Sequence, residues 1–418
     1  MIRLCVVSQS ATPASFSAIT EPTSAGEIES IIKIAAADGR AICPVGGCRA
    51  IGRGINVRQG TTALTLGRLN QVIDYPHEDM TITAGAGITI AELQRVLAEK
   101  GQRLPVDVPQ ADEATLGGAI ATNQNGPRRY GCGTLRDYVI GITAVDGRGA
   151  TFSGGGRVVK NVAGYDFCKL LIGSRGALAV ITQVTLKVLP QPAGSLLLVA
   201  AIEDHEQLGE TLRQLAESAL TPVTIDFVSG SEWEDVSAAG RSRCYGSLFL
   251  GFEGTADEIT WLQQQACQHA GIKAARFKPL APEHDQYEMW SRLCEFPAEE
   301  TPALTFVANI VPSGVPEFLT TVMQHDPSAS LVARAGSGVI FVRCSQPASD
   351  AVSLHAKTLL PAARKQHGNC LVYAAPPDLK LTPLAAYGAP HASTNVYQSI
   401  KQTFDPQGIL SPGVWNYD

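Results

Sequence analysis

Four glycines fall within the eleven residues Pro44-Val-Gly-Gly-Cys-Arg-Ala-Ile-Gly-Arg-Gly54, just after a short apolar run. Glycine at this density lets backbone amides close on an anion such as phosphate, because no Cβ holds the chain away. Two familiar phosphate patterns are excluded by their missing parts. A triphosphate loop needs Lys and Ser/Thr behind its second glycine, one for charge and one for magnesium, whereas Gly52 is followed by Arg53-Gly54. A dinucleotide turn needs Gly-x-Gly-x-x-Gly opening a helix, and Gly52-Arg-Gly54 has neither the third glycine nor a helical pattern behind it. Taken alone, the loop reads at least as well as a plain surface turn.

Two later segments change its weight. In Thr115-Leu-Gly-Gly-Ala-Ile-Ala-Thr-Asn-Gln-Asn-Gly126, paired glycines could bring amides onto a pyrophosphate, helped by the N-terminus of any helix that starts there. Arg128 and Arg129 follow as candidate cations. Then come Lys160-Asn-Val-Ala-Gly-Tyr-Asp166 and Leu170-Leu-Ile-Gly-Ser-Arg-Gly-Ala-Leu-Ala-Val-Ile-Thr182.

The elements that must position these segments are legible from caps and periodicity. Ser24-Ala-Gly-Glu27 is a capping box before the apolar stripe Ile28, Ile31, Ile32 and Ala35, and Gly39 ends that helix. Ala41–Val45, Ala63–Leu66, Gln71–Asp74 and Met80–Ala84 read as strands. Thr89-Ile-Ala-Glu92 caps a second helix that stops at Gly101. Tyr138–Val145 and Val180–Leu189 are further strands, the latter alternating Val184, Leu186 and Val188 with polar residues. Pro190 and Pro192 mark a boundary. Beyond it strand and helix patterns mix, which predicts an antiparallel, ferredoxin-like sheet with helices on one face.

Composition bounds the function. A chain of 418 residues predicts two or three domains. The net charge of −6 gives no electrostatic reason for a nucleic acid or an anionic membrane as partner. The ten cysteines are scattered, none in a Cys-x-x-Cys pair, so iron–sulfur and zinc sites and a disulfide framework are not expected. The apolar start is short for a signal peptide, and no window offers the roughly 20 apolar residues of a membrane helix. A reduced cytoplasmic compartment is expected, with any membrane reached only through partners.

The ordered segments resemble the FAD-binding domain of the vanillyl-alcohol oxidase / p-cresol methylhydroxylase superfamily over about residues 19–190. The likeness rests on the Pro-x-Gly-Gly loop, Gly85-Ala-Gly87, Thr115-Leu-Gly-Gly118, Arg136-Asp137 and Gly173-Ser-x-Gly with Ile181-Thr182. Gly126-Pro-Arg-Arg and Val159-Lys-Asn-Val-Ala-Gly-Tyr-Asp are most similar to the E-type FAD subunit of bacterial glycolate oxidase, and Phe404–Gly413 is similar to the tail of the same group. The resemblance implies an α+β chain with a two-subdomain FAD-binding fold over 19–190. It further implies an α/β cap of ferredoxin-like antiparallel sheet over 191–395 and a segment 396–418 returning to the FAD domain, with 1–18 as an N-terminal segment. The FAD diphosphate would be held by Val45, Gly46, Gly47, Cys48, Arg49 and Ala50, and by Thr115, Gly117, Gly118, Ala121 and Thr122. Pro109, Gly126 and Ile181 would contact other parts of the cofactor. Arg49 stands where covalent members carry a flavin-linking His, so non-covalent FAD is expected. Cys48 stands where a third glycine is common. The implied reaction is oxidation of glycolate or a similar 2-hydroxy acid, with electrons passed to a second flavoprotein subunit and an iron–sulfur subunit. A stand-alone FAD-dependent 2-hydroxyacid dehydrogenase and a non-turnover assembly subunit are the alternatives.

No catalytic residue stands out. Metal-dependent hydroxyacid dehydrogenases of this superfamily usually carry His-x-Gly-Asp-Gly-x-x-His, and none of the eight histidines forms it, so no metal site is expected. Gln366-His-Gly-Asn369 is a weak echo that a capping or surface histidine explains better. His284, Asp285, Tyr287, Trp290 and Arg292 share a helix pattern, and Arg334 and Arg343 are strand-borne cations. Each could meet a substrate carboxylate, but core and surface roles fit them better. Lys160 and Tyr165 could touch flavin or substrate, or brace their loop.

Overall fold

The computed structural model describes residues 16–47, 58–157, 164–236, 245–268, 274–280, 286–298, 303–376, 379, 381 and 394–413. The chain divides into two compact units. One comprises Met1–Asn125, Thr134–Gln191 and Ala389–Asp418; the other comprises Gly126–Gly133 and Pro192–Gly388.

In the first unit, β1 (Phe16–Thr20), β2 (Ile42–Val45) and β3 (Thr61–Thr65) form a parallel sheet in the order β1-β3-β2. Helix α1 (Ala25–Asp38) is the connection that parallel strands require. Its sequence signals act as read: Ser24 Oγ accepts the Glu27 amide, Gly39 caps the other end at φ +64°, and Ile28, Ile32 and Ala35 are buried. An antiparallel sheet follows in the order β4-β5-β9-β7-β8, from β4 (Val72–Asp74), β5 (Thr81–Gly85), β7 (Val139–Asp146), β8 (Thr151–Gly155) and β9 (Ala179–Lys187). The short strands β6 (Gln102–Arg103) and β10 (Leu189–Pro190) pair with each other. Helices α2 (Ile90–Ala98) and α3 (Leu116–Thr122) add Leu93, Leu97, Leu116 and Ile120 to the core beside β5 and β9.

The second unit is one antiparallel sheet of eight strands, in the order β14-β11-β13-β12-β16-β17-β15-β18. These are β11 (Gly194–Ile202), β12 (Thr224–Ser229), β13 (Gly246–Gly254), β14 (Lys278–Pro279), β15 (Thr305–Asn309), β16 (Ser330–Arg334), β17 (Val339–Arg343) and β18 (Asn369–Ala374). The expectation of helices on one face needs correcting, because both faces are covered. Leu196, Leu198, Ala200 and Ile202 of β11 face a core shared with helices His205–Glu217 and Val315–His325, whereas Leu197 and Val199 face Met289, Trp290 and Leu293 of helix Gln286–Glu295. A strand apolar on both sides, such as Leu-Leu-Leu-Val-Ala-Ala-Ile, is the sequence sign of this double burial.

Candidate functional site

Three chain segments converge in the first unit around a cleft. The first is the end of β2 with the turn after it, bringing Cys43, Pro44, Val45, Gly46 and Gly47. The second is α3 with its approach, bringing Thr115, Gly117, Gly118, Ala121 and Thr122. The third is the turn into β9, bringing Arg175, Gly176, Ala179 and Ile181. Leu66, Ala114, Ala119 and Gln124 complete the lining.

The glycines do something other than expose amides. A methyl group on Gly46 would overlap Thr115 Oγ1, and one on Gly47 would overlap the backbone oxygen of Glu113. Gly117 is less tight, a Cβ there standing 2.7 Å from Ala86 Cβ. The two glycine-rich segments therefore close on their own framework, and the missing Cβ atoms are what lets them do so. The amides of Gly117 and Gly118 are also engaged, donating to Ala86 O at 2.8 Å and to Thr115 Oγ1 at 3.3 Å. Thr115 is the cap of α3 and Asn123, at φ +53°, ends it after seven residues. Two glycines in so short a helix weaken it by about 0.5–1 kcal/mol each relative to Ala, so close packing is the reason they are there.

The C-terminal segment braces the cleft from behind. The Ile42 amide donates to Ile409 O at 2.8 Å and the Ser411 amide to Ile42 O at 2.7 Å, so residues 409–411 run beside β2. Lys401, on helix Thr394–Phe404, is buried and spends all three donors, on Ala177 O (2.8 Å), Asp405 Oδ2 (2.8 Å) and Leu410 O (2.7 Å). One ammonium thus ties the 173–177 turn to the tail. Asp405 is matched in turn by the amides of Ile409 and Leu410.

The cleft suits a flavin nucleotide by its donor set. Its wall carries threonine hydroxyls, one arginine and the Oε1 of Gln124, a buried oxygen that has no hydrogen-bond partner. A ligand bearing O–H or N–H groups would satisfy that oxygen, which otherwise carries a desolvation cost.

Of the sequence-predicted residues, Val45, Gly46, Gly47, Thr115, Gly117, Gly118, Ala121, Thr122 and Ile181 are brought together on this cleft. Cys48, Arg49 and Ala50 lie outside the described residues, as do Lys160, His284 and Asp285. Pro109 is buried but does not line the cleft, and Gly126 belongs to the second unit. Gln124, Arg175 and Gly176 are lining residues that sequence reasoning passed over. Each sits inside a recognised motif, so proximity to the motif was the available signal.

The other cations of interest are structural. Arg334 pairs with Asp226 and donates to Leu293 O; Arg343 pairs with Glu232 and donates to Phe296 O. Both thus cap carbonyls at the end of helix Gln286–Glu295 and the turn after it. Arg292 pairs with Asp235 and lies over the Trp233 ring. Within the second unit, Arg128 bonds Glu253 at 2.6 Å and stacks 4.2 Å over Trp290. Arg136 donates to Lys169 O, and Asp137 completes a capping box with Thr134. Tyr165 is exposed beside Phe167. Burial pushes the Cys344 thiol up to about 12 and raises Cys370 as well, so neither is a nucleophile at neutral pH. Among the described residues, no group of three or more His, Cys, Asp and Glu gathers that could hold a metal ion. Nor is any helix among them long and apolar enough to cross a membrane.

The cleft lies in a domain of the FAD-binding class. Residues 16–155 match the FAD binding domain family and residues 385–414 match the C-terminal domain of FAD linked oxidases. Within that class, the chain is 29% identical to glycolate oxidase subunit GlcE of Escherichia coli, over 82% of this chain and 83% of that protein. It is 25% identical to D-2-hydroxyglutarate dehydrogenase of Stutzerimonas stutzeri, over 95% and 90%. The fold matches a solved structure of alkyldihydroxyacetonephosphate synthase with a TM-score of 0.69 at 19% identity, covering 94% of this chain and 76% of that one. The chain is an FAD-linked oxidoreductase, related to glycolate oxidase subunits and to 2-hydroxyacid dehydrogenases.

Proposed function

We propose that the chain is the FAD-carrying subunit of a glycolate-oxidase-like assembly that oxidises glycolate or a similar 2-hydroxy acid. The observation that carries this reading is the extent of the likeness to glycolate oxidase subunit GlcE, which covers more than four-fifths of both chains and so includes both units. Bound FAD supplies the two-electron acceptor for such an oxidation. In this reading, FAD is bound non-covalently by the first unit, residues 19–190 with 396–418. Val45–Gly47 and Thr115–Thr122 form the walls about its diphosphate, and Gln124 accepts one of its donors. Residues 191–395 form the cap on the substrate side. Electrons pass to a second flavoprotein subunit and an iron–sulfur subunit.

A second reading, a stand-alone FAD-dependent 2-hydroxyacid dehydrogenase, is favoured by the near full-length likeness to D-2-hydroxyglutarate dehydrogenase. One experiment separates them. The purified chain is mixed anaerobically with glycolate, D-lactate or D-2-hydroxyglutarate, and the flavin absorbance is followed. Bleaching only when a co-purified flavoprotein partner is present supports the assembly. Bleaching of the isolated chain supports the dehydrogenase and overturns the first reading.

A further inference from the structure

Of the described residues that line the cleft, Arg175 alone carries a charge. Its backbone lies at φ +52°, in the left-handed region, between Gly173 at +83° and Gly176 at +72°. Glycine or asparagine is the residue such a position accepts without strain. An arginine kept there is an outlier of the kind that collects at ligand clamps, where the surroundings over-determine the conformation. Here they do. The Gly173 amide donates to Ile120 O at 3.0 Å, the Arg175 amide to Ala121 O at 2.7 Å, and Lys401 holds Ala177 O at 2.8 Å. A Cβ on Gly176 would stand 3.2 Å from both Pro44 Cγ and Ser411 Oγ. The turn is thus fixed between α3, β2 and the C-terminal segment, and the side chain it presents to the cleft is a guanidinium.

The rest of the described lining is neutral: glycine backbone, threonine hydroxyls, an amide and apolar carbons. Amides of Gly117 and Gly118 that could have met an anion are already engaged. A guanidinium is permanently charged, and its planar fork matches two phosphate oxygens at once. We propose that Arg175 is the cationic anchor of the FAD diphosphate in this chain, an assignment that rests on the cleft being the FAD site.

The test titrates full-length apoprotein with FAD, ADP and riboflavin by calorimetry at two salt concentrations. ADP carries the diphosphate without the flavin, and riboflavin the reverse. Arg175→Gly is the primary variant, because glycine relieves the backbone at this position and leaves the fold intact; Arg175→Asn, which also tolerates it, repeats the test. ADP and FAD should weaken together by about 10- to 100-fold, the loss expected for a hydrogen-bonded charge pair. Riboflavin affinity should not change, the salt dependence of FAD binding should flatten, and Arg175→Lys should recover part of the ADP affinity. Unchanged affinity for ADP and FAD in Arg175→Gly overturns the assignment. Weakened riboflavin with unchanged ADP also overturns it, moving the guanidinium to the flavin ring. Wild-type protein that binds neither FAD nor ADP overturns the FAD reading of the cleft and the assignment with it.

Discussion

The cleft of the first unit and the buried face of the second unit under helix Gln286–Glu295 are built on opposite plans. The cleft is a meeting of backbones, with glycines that fit because a Cβ would collide with Thr115, Glu113 or Ala86. It leaves a polar oxygen of Gln124 without a partner. The second face is a meeting of long side chains, in which Asp226–Arg334 and Glu232–Arg343 reach across to helix-end carbonyls. The first region is closed by backbone contact, and the second by charges paired with one another. Charged residues in a flavoenzyme are tempting as substrate anchors, and Arg334 and Arg343 show how carboxylates and carbonyls of the same unit can engage them instead.

The largest test of the contrast removes one buried cation from each region. Lys401→Met strips Asp405 of its countercharge, and Arg334→Met does the same to Asp226, both carboxylates being within 1% of full burial. Breaking such a pair costs about 3–5 kcal/mol, so both variants should melt well below wild type. They should part in flavin affinity. Lys401 holds the 173–177 turn and the strand-like tail beside β2, so its loss should also weaken FAD binding in the fraction that folds. Arg334→Met should leave FAD affinity at the wild-type value. Equal FAD affinity in the two variants would break the comparison.

Next in size is Gly47→Val. Its Cβ would enter the backbone oxygen of Glu113, so overpacking should cost about 3 kcal/mol, the upper end for such insertions. The flavin absorbance per chain should fall with it. A stable variant with full flavin content would show that the turn can move, and the cleft wall would lose its claim to be rigid.

Much of the first region was legible in sequence because its determinants are local. Ser24, Gly39 and Thr89 act as caps where their spacing says they should, and glycine clusters mark close approach wherever they fall. The direction of approach was not legible: it depends on Glu113 and Ala86, which no motif includes. The second region resists reading because its partners are distant along the chain. Arg128 meets Glu253 across 125 residues and Arg334 meets Asp226 across 108. Nothing in Gly126-Pro-Arg-Arg announces that this segment packs with the second unit. For the same reason the helix pattern around Trp290 was legible but its place on the second face of the sheet was not, since periodicity reports that a face is apolar and not what covers it.

A smaller effect concerns protons. His355 is fully buried where the helix loosens to π geometry over His355–Leu359, and its ring stacks on Phe306 at 4.8 Å. Its Nε2 lies 2.8 Å from Cys370 O and its Nδ1 has no partner, and burial holds its pKa below the ordinary imidazole value. The unfolded chain therefore takes up this proton first as pH falls. Stability from this group is complete above the ordinary imidazole range and declines through it, until pH reaches the depressed folded value. The slope can be at most about 1.4 kcal/mol per pH unit for one proton. Urea denaturation from pH 7.5 to 5.5 should show wild type losing more stability than His355→Gln; parallel curves would mean that the ring titrates alike in the folded and unfolded chains, and a wild type that gains stability would mean that the fold favours the protonated ring.

The smallest expected effect sharpens the comparison from the side of solvent. Arg213 makes the same kind of pair as Arg334, bonding Glu210 and Glu217 one turn away on either side of helix His205–Glu217. All three of its side chains are at least 45% exposed. Water already solvates each partner, the side chains lose rotamer freedom in pairing, and salt screens what attraction is left. Arg213→Gln should therefore leave the melting temperature where it is, at low and at high salt, while Arg334→Met lowers it at both. A clear loss in Arg213→Gln at low salt would mean that pairing itself, rather than burial of the paired charges, holds the second unit together, and the distinction between its exposed and buried arginines would fall.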